Sequence, residues 1–281
     1  MSNSSIGTVR EDAKQLFREA RPWIKTLARF GYAAKGVVYV LIGMIAMMVA
    51  LGRRGQPADF SGVLIQVVRQ PFGSLLLALL TIGLACYGLW CLVQAVMDTE
   101  NKGTSFFAIL TRMSFAGVGF VYLALAWSAS RLLMRTGGVR PGGRPEQEWT
   151  ASFLALRPYG QWLVAFAGIG FIGFLFYELH RVYTDGSQVL KTEGTTRKAE
   201  DLLALRIAQI GITARAVVFS IIGFFLIRSA VDYDPNKVRG ISGTLAALRQ
   251  PPWVLATIAM GLTAYGGYML FLSSRRRIDP V

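Results

Sequence analysis

The chain has 281 residues, 53% of them hydrophobic, and a mean hydropathy of +0.43. Only 16% are charged, against about 25% in a soluble domain, which excludes an ordinary water-soluble globule. The net charge of +14 comes from 30 Lys and Arg against 16 Asp and Glu. Long apolar runs assign that charge to a membrane surface with anionic head groups rather than to nucleic acid.

The N-terminal segment, residues 1–27, is basic. It carries no compact apolar stretch of the kind a signal peptide has. Thr8-Val9-Arg10-Glu11 forms a candidate capping box. Behind it Ala13, Leu16, Phe17, Ala20, Ile24 and Leu27 recur at helical spacing, opposite a face of Lys and Arg. This pattern predicts a short amphipathic helix lying on the membrane surface.

Crossing the hydrocarbon takes about 20 mainly apolar residues. Six stretches qualify: Ala33–Leu51, Ser74–Met97, Met113–Met134, Trp162–Val182, Gly211–Val231 and Pro252–Leu272. Glycine is frequent inside them, as in membrane helices that approach one another closely. Aromatic and basic residues mark their ends, among them Tyr32, Trp162, Tyr183, Trp253 and Arg275 to Arg277. With the N-terminus inside, 16 Lys and Arg fall on the cytoplasmic side and 11 on the other. The bias places both termini in the cytoplasm of a bacterial cell. Cys86 and Cys91 share one span but face different sides of it, so they read as structural thiols rather than as a disulfide or metal pair.

The spans repeat in pairs. Arg29 to Tyr39 matches Arg112 to Tyr122 and Gln209 to Phe219. Gly83 to Trp90 matches Gly170 to Tyr177 and Gly261 to Tyr268. A small residue and an aromatic four positions later share a helix face, which makes Gly83 and Tyr87, Gly170 and Phe174, and Gly261 and Tyr265 the packing positions of the repeat. The loop before each second span carries a short amphipathic stretch stopped by proline, at Pro71, Pro158 and Pro251. The repeats are residues 28–98, 111–185 and 207–274. Each has an even number of spans, so all three point the same way, about an axis along the membrane normal. The predicted fold is an all-α integral membrane protein, a pseudo-threefold bundle of six transmembrane helices with a short N-terminal amphipathic helix.

These residues, Ala28 to Gly43, Leu64 to Pro71, Gly83 to Trp90 and their copies, resemble the bacterial family described as domain of unknown function 1206, a helix pair that occurs three times per protein. The resemblance covers most of residues 28–272 and implies the same architecture. It implies no activity. Two departures stand out: Val118 replaces the basic residue of Lys35 and Arg215, and the loop from Arg135 to Gln161 is longer than its equivalents.

Ionisable groups in hydrocarbon are costly and so mark candidate sites. Lys35 and Arg215 enter from the N-terminal side, about one turn into their spans. Glu178 and His180 lie toward the same end of the fourth span, at the level of Asp98 and Asp185. Two readings compete for this layer. It is either a polar gate that handles protons or ions, or a set of ion pairs and snorkelling side chains that fix repeat packing. Arg131 and Arg228 mark the opposite face, as an anion-attracting vestibule or as snorkelling residues. No catalytic, cofactor or metal motif is recognisable: one histidine supplies too few ligands, and residues two apart on a helix diverge by about 200°. A membrane scaffold or accessory protein that contacts lipids or other membrane proteins fits the sequence best. A channel or transporter along the three-repeat axis comes second and an enzyme third.

Overall fold

The computed structural model describes residues 3–53, 57, 60–68, 70–96, 106–134, 145–156, 159–184 and 198–275. Its regular elements are all helical. Six long helices carry the spans: α1 (Asn3–Ala50), α3 (Gly73–Val96), α4 (Phe106–Met134), α6 (Tyr159–Thr184), α7 (Lys198–Asp232) and α9 (Pro252–Arg275). Three short ones precede the second span of each repeat: α2 (Phe60–Val68), α5 (Pro145–Leu154) and α8 (Ile241–Ala247). Backbone groups in lipid must satisfy one another, and a helix does this within a single segment.

The N-terminal segment is helical but is not a separate element. Helix α1 continues from Asn3 through the first span to Ala50. Pro22 forfeits one ladder hydrogen bond, and no glycine lies between Thr8 and Phe30 to offer a stop. At 1.5 Å per residue, α1 is roughly 72 Å long, more than twice the hydrocarbon thickness, so its first half lies beyond the core of the bilayer.

The apolar spans run Thr26–Ala50, Gly73–Val96, Thr111–Met134, Tyr159–Thr184, Leu205–Asp232 and Pro252–Ser274. They stand in a ring. Within the first repeat α1 packs on α3, and within the third α7 packs on α9. Between repeats α3 packs on α4, α6 on α7 and α9 on α1. Among the described residues one place in the ring has no packed interface, that between α4 and α6, the two spans of the second repeat. Burial agrees. The apolar windows of α1, α3, α7 and α9 are 44–50% buried, against 22% for α4 and 17% for α6.

The interfaces between repeats share one device, the close approach of two backbones. A Cβ on Gly36 would stand 2.8 Å from the carbonyl oxygen of Gly266, and one on Gly119 would stand 3.0 Å from that of Gly88. These are equivalent crossings, α9 on α1 and α3 on α4. Gly223 and Gly168 meet where α7 crosses α6, with 2.6 Å from a Gly223 Cβ to the Gly168 oxygen. The corresponding crossing on α1 is Gly43 against the Ala259 oxygen, at 2.7 Å. Small residues gain packing contacts here that larger ones would block.

The end of the ring away from the chain termini is capped by the short helices, each of which buries a leucine: Leu64, Leu154 and Leu245. Gln147 Nε2 donates to the carbonyls of Asn236 and Val238, at 3.2 and 3.4 Å, and the Tyr233 hydroxyl donates to the Leu154 carbonyl. These bonds tie α5 to the turn that follows α7. Tyr233 itself is left-handed, with φ 55°, where α7 stops.

Candidate functional site

The inward positions repeat with the fold. Tyr39, Tyr122 and Phe219 are equivalent on the first spans, and Tyr87, Phe174 and Tyr265 on the second. Each second-span ring meets the first-span ring of the next repeat edge to face. Centroids are 4.5 Å apart for Tyr87 and Tyr122, 6.4 Å for Phe174 and Phe219, and 4.8 Å for Tyr265 and Tyr39. Phe60, on the capping helix α2, stands between Tyr39 and Tyr122 at 5.4 and 6.0 Å. The result is a continuous run of rings, Tyr87, Tyr122, Phe60, Tyr39 and Tyr265, across the middle of the bundle. Phe60 was not legible in the sequence, because the repeat of the proline-stopped stretch begins only at Leu64 and has no equivalent of Phe60.

Lys35 sits within these rings and is 4% exposed. Its ammonium donates to the Tyr87 hydroxyl at 2.7 Å. It lies 4.5, 5.6 and 5.5 Å from the ring centres of Tyr87, Tyr122 and Tyr265. Among the described residues no carboxylate pairs with it. A cation held by ring faces gains about 0.5–2 kcal/mol per favourable contact, which offsets part of its desolvation.

Arg215, the third-repeat equivalent of Lys35, lies over Tyr265, Phe174 and Phe219 at 4.8, 5.2 and 5.6 Å. It donates from Nη2 to Glu178 Oε2 at 2.6 Å, with the two side chains 11% and 13% exposed. Its Nε has no hydrogen-bond partner. Each cation therefore stands between the second-span ring of its own repeat and that of the preceding one, with Tyr265 shared by both. Glu178 occupies the position of Cys91 and Met269, both buried. That equivalence was visible in the repeat alignment and marks Glu178 as inward-facing. In the second repeat the cation position holds Val118, which is 38% exposed and lies beside the gap.

Both side chains are turned into the bundle, with Lys35 buried and Arg215 nearly enclosed. The first and fifth spans begin at Thr26 and Leu205, earlier than the sequence indicated, because Arg29 and Arg206 interrupt apolar runs that in fact continue outward. Lys35 and Arg215 are thus roughly 14 Å from the start of their apolar spans by helix rise. His180 is exposed on α6 while Glu178 is turned to Arg215, so the two do not act as a pair. Asp98 and Asp185 lie outside the described residues. On the opposite face Arg131 is exposed, and Arg228 is bound to Asp232 at 3.7 Å, beside a 2.8 Å pair between Asp232 and Lys237. Cys86 and Cys91 are free thiols.

The packing glycines divide by repeat. A Cβ on Gly31 would stand 2.6 Å from Tyr87 Cα, and one on the equivalent Gly211 would likewise fall on Tyr265. Gly83 fits against Ala34, and Gly261 against Ala214. The same two positions in the second repeat are Gly170 and Gly117, and neither has an atom within 4 Å of where its Cβ would be.

Six helices long and apolar enough to cross a membrane, arranged as three copies of a helix pair, define a multi-pass membrane protein. The chain belongs to the family described as Domain of Unknown Function (DUF1206), whose model matches it three times, over residues 30–98, 113–185 and 210–276. It is similar to the uncharacterized protein YxxB of Bacillus subtilis (strain 168), with 38% identity over 258 residues, covering 90% of this chain and 91% of that protein. No solved structure matches the chain.

Proposed function

We propose that the protein is a non-conducting membrane scaffold or accessory protein that binds lipids or other membrane proteins from the side, through the gap between α4 and α6. It sits in the bacterial cell membrane with both termini in the cytoplasm, where the excess of Lys and Arg would meet anionic head groups. The observation that carries this reading is the run of rings from Tyr87 through Phe60 to Tyr265, which occupies the middle of the ring while the second repeat stays open sideways. A conduit for ions needs polar groups along its length. Among the described residues the enclosed charges Lys35, Arg215 and Glu178 lie in one layer, and Glu178 is bound to Arg215. The reading assigns no catalytic step.

A second reading, a conduit for small ions along the axis, draws on the depth of Lys35 and Arg215. Purified protein reconstituted in liposomes separates the two. The scaffold reading expects potassium, proton and chloride fluxes equal to those of protein-free vesicles, under gradients of either sign. A flux that saturates with protein and disappears in Lys35→Met would overturn it.

A further inference from the structure

We infer that Ser114, together with Gly117, is a wedge that holds the second repeat open, so that α4 and α6 cannot pack as the other two helix pairs do. The inference goes beyond the lateral-binding reading above and does not depend on what occupies the opening.

The first ground is the close approach inside the two closed seams. Where α1 meets α3, a Cβ on Gly31 would stand 2.6 Å from Tyr87 Cα and 2.7 Å from its backbone nitrogen. Where α7 meets α9, a Cβ on Gly211 would stand 2.5 Å from Tyr265 Cα. These are backbone atoms, and α3 and α9 are each packed on a second helix as well. They cannot swing aside as the tip of a side chain can, so a closed seam admits only glycine at this position. The second repeat has Ser114 there. In a closed seam its Cβ would fall on the backbone of Phe174, the counterpart of Tyr87 and Tyr265, and its hydroxyl would need still more room. In the repeat alignment the change reads as one small residue for another, and only the closed seams give it this meaning.

The second ground is the socket one turn further on. The Ala34 methyl fills the space at Gly83, and the Ala214 methyl fills that at Gly261. The second repeat has Gly117 in the alanine position and keeps the socket as Gly170. A closed α4–α6 seam would therefore be overfilled at Ser114 and underfilled at Gly117, and both faults cost stability.

The third ground is the state of the two faces. Val121 of α4 is 58% exposed, whereas its counterparts Val38 and Val218 are 0% and 2% exposed. Tyr177 of α6 is 43% exposed, against 2% and 5% for Trp90 and Tyr268. The second repeat thus retains the apolar faces that the other repeats bury, and differs at the two positions that let those faces meet.

The double variant Ser114→Gly with Gly117→Ala restores the closed pattern. Nitroxide labels at Phe120 and Phe166 read the result, in a chain whose Cys86 and Cys91 are replaced by alanine. Their counterparts Val37 and Leu79 remain exposed beside a closed seam, so the labels themselves do not obstruct closure. Pulsed electron resonance in lipid bilayers should show the Phe120–Phe166 distance shorten and narrow to that of labels at Val37 and Leu79. Ser114→Gly alone should move it part of the way. The reverse change, Gly31→Ser, places the wedge in a closed seam. It should widen the Val37–Leu79 distribution or lower the unfolding temperature. A double variant with the parent's distances would refute the wedge. So would a Gly31→Ser protein that keeps both the parent's Val37–Leu79 distances and its unfolding temperature. Neither result touches the scaffold reading, which stands or falls on flux in liposomes.

Discussion

A single carboxylate decides how Arg215 is tolerated in the membrane. Glu178 reaches it at 2.6 Å and both are nearly enclosed. Breaking a buried pair from one side leaves an uncompensated charge and costs about 3–5 kcal/mol, while replacing both partners by apolar side chains of similar size is often neutral. Glu178→Gln should therefore lower the unfolding temperature in detergent substantially, and the double variant Glu178→Met with Arg215→Met should recover most of the loss. If the single variant melts like the parent, the pair is not structural. Both residues stood out in the sequence as charges inside apolar runs at one level, but whether Glu178 meets Lys35 or Arg215 was left open. They lie 37 residues apart on helices of different repeats, and only the knowledge that α6 packs on α7 brings them together.

The helix pair is the element on which the fold is built, and its seam can be closed or open. Gly83 and Gly261 are filled against Ala34 and Ala214, whereas Gly170 is not filled by anything. Adding one methyl to a packed seam costs typically 1–3 kcal/mol through displaced neighbours. In an open helix position alanine replaces glycine at a gain of up to about 1 kcal/mol. Gly83→Ala and Gly261→Ala should thus destabilise the protein while Gly170→Ala leaves it unchanged or slightly firmer, as read by thermal unfolding of the three variants side by side. Equal losses at all three would mean that the second repeat is closed like the others. The repeat pattern made these positions legible, since glycine and the aromatic four residues on recur three times. It did not reveal that equal residues have unequal neighbours. The departures at Val118 and in the long loop from Arg135 to Gln161 were the only signs, and neither has a fixed meaning until the helices are placed. The length of α1 was hidden for a different reason: a surface helix and a span joined end to end look like two elements when only hydropathy is followed.

Across the whole molecule, triplication lays out a closed ring and the second repeat leaves it open. The six spans, their common direction and the threefold plan follow from apolar length and repeat spacing, which are local properties of the chain. The opening depends on which of two neighbours each helix prefers. In every repeat the crossing to the next repeat is built on close glycine or alanine contacts, so α4 is held by α3 and α6 by α7. The contact between α4 and α6 has no such support, and the ring yields there. Equivalent exposed positions make this measurable. Val37 and Leu79 lie on the two spans of the first repeat, and Phe120 and Phe166 are their counterparts in the second; all four are exposed. Spin labels at Val37 and Leu79 should give a narrow distance distribution by pulsed electron resonance. Labels at Phe120 and Phe166 should give a longer and broader one, because one pair of helices is locked by the Gly31–Tyr87 and Ala34–Gly83 contacts and the other is not. Matching distributions in lipid bilayers would mean that the ring closes in the membrane, and with it would go the sideways binding proposed for the second repeat.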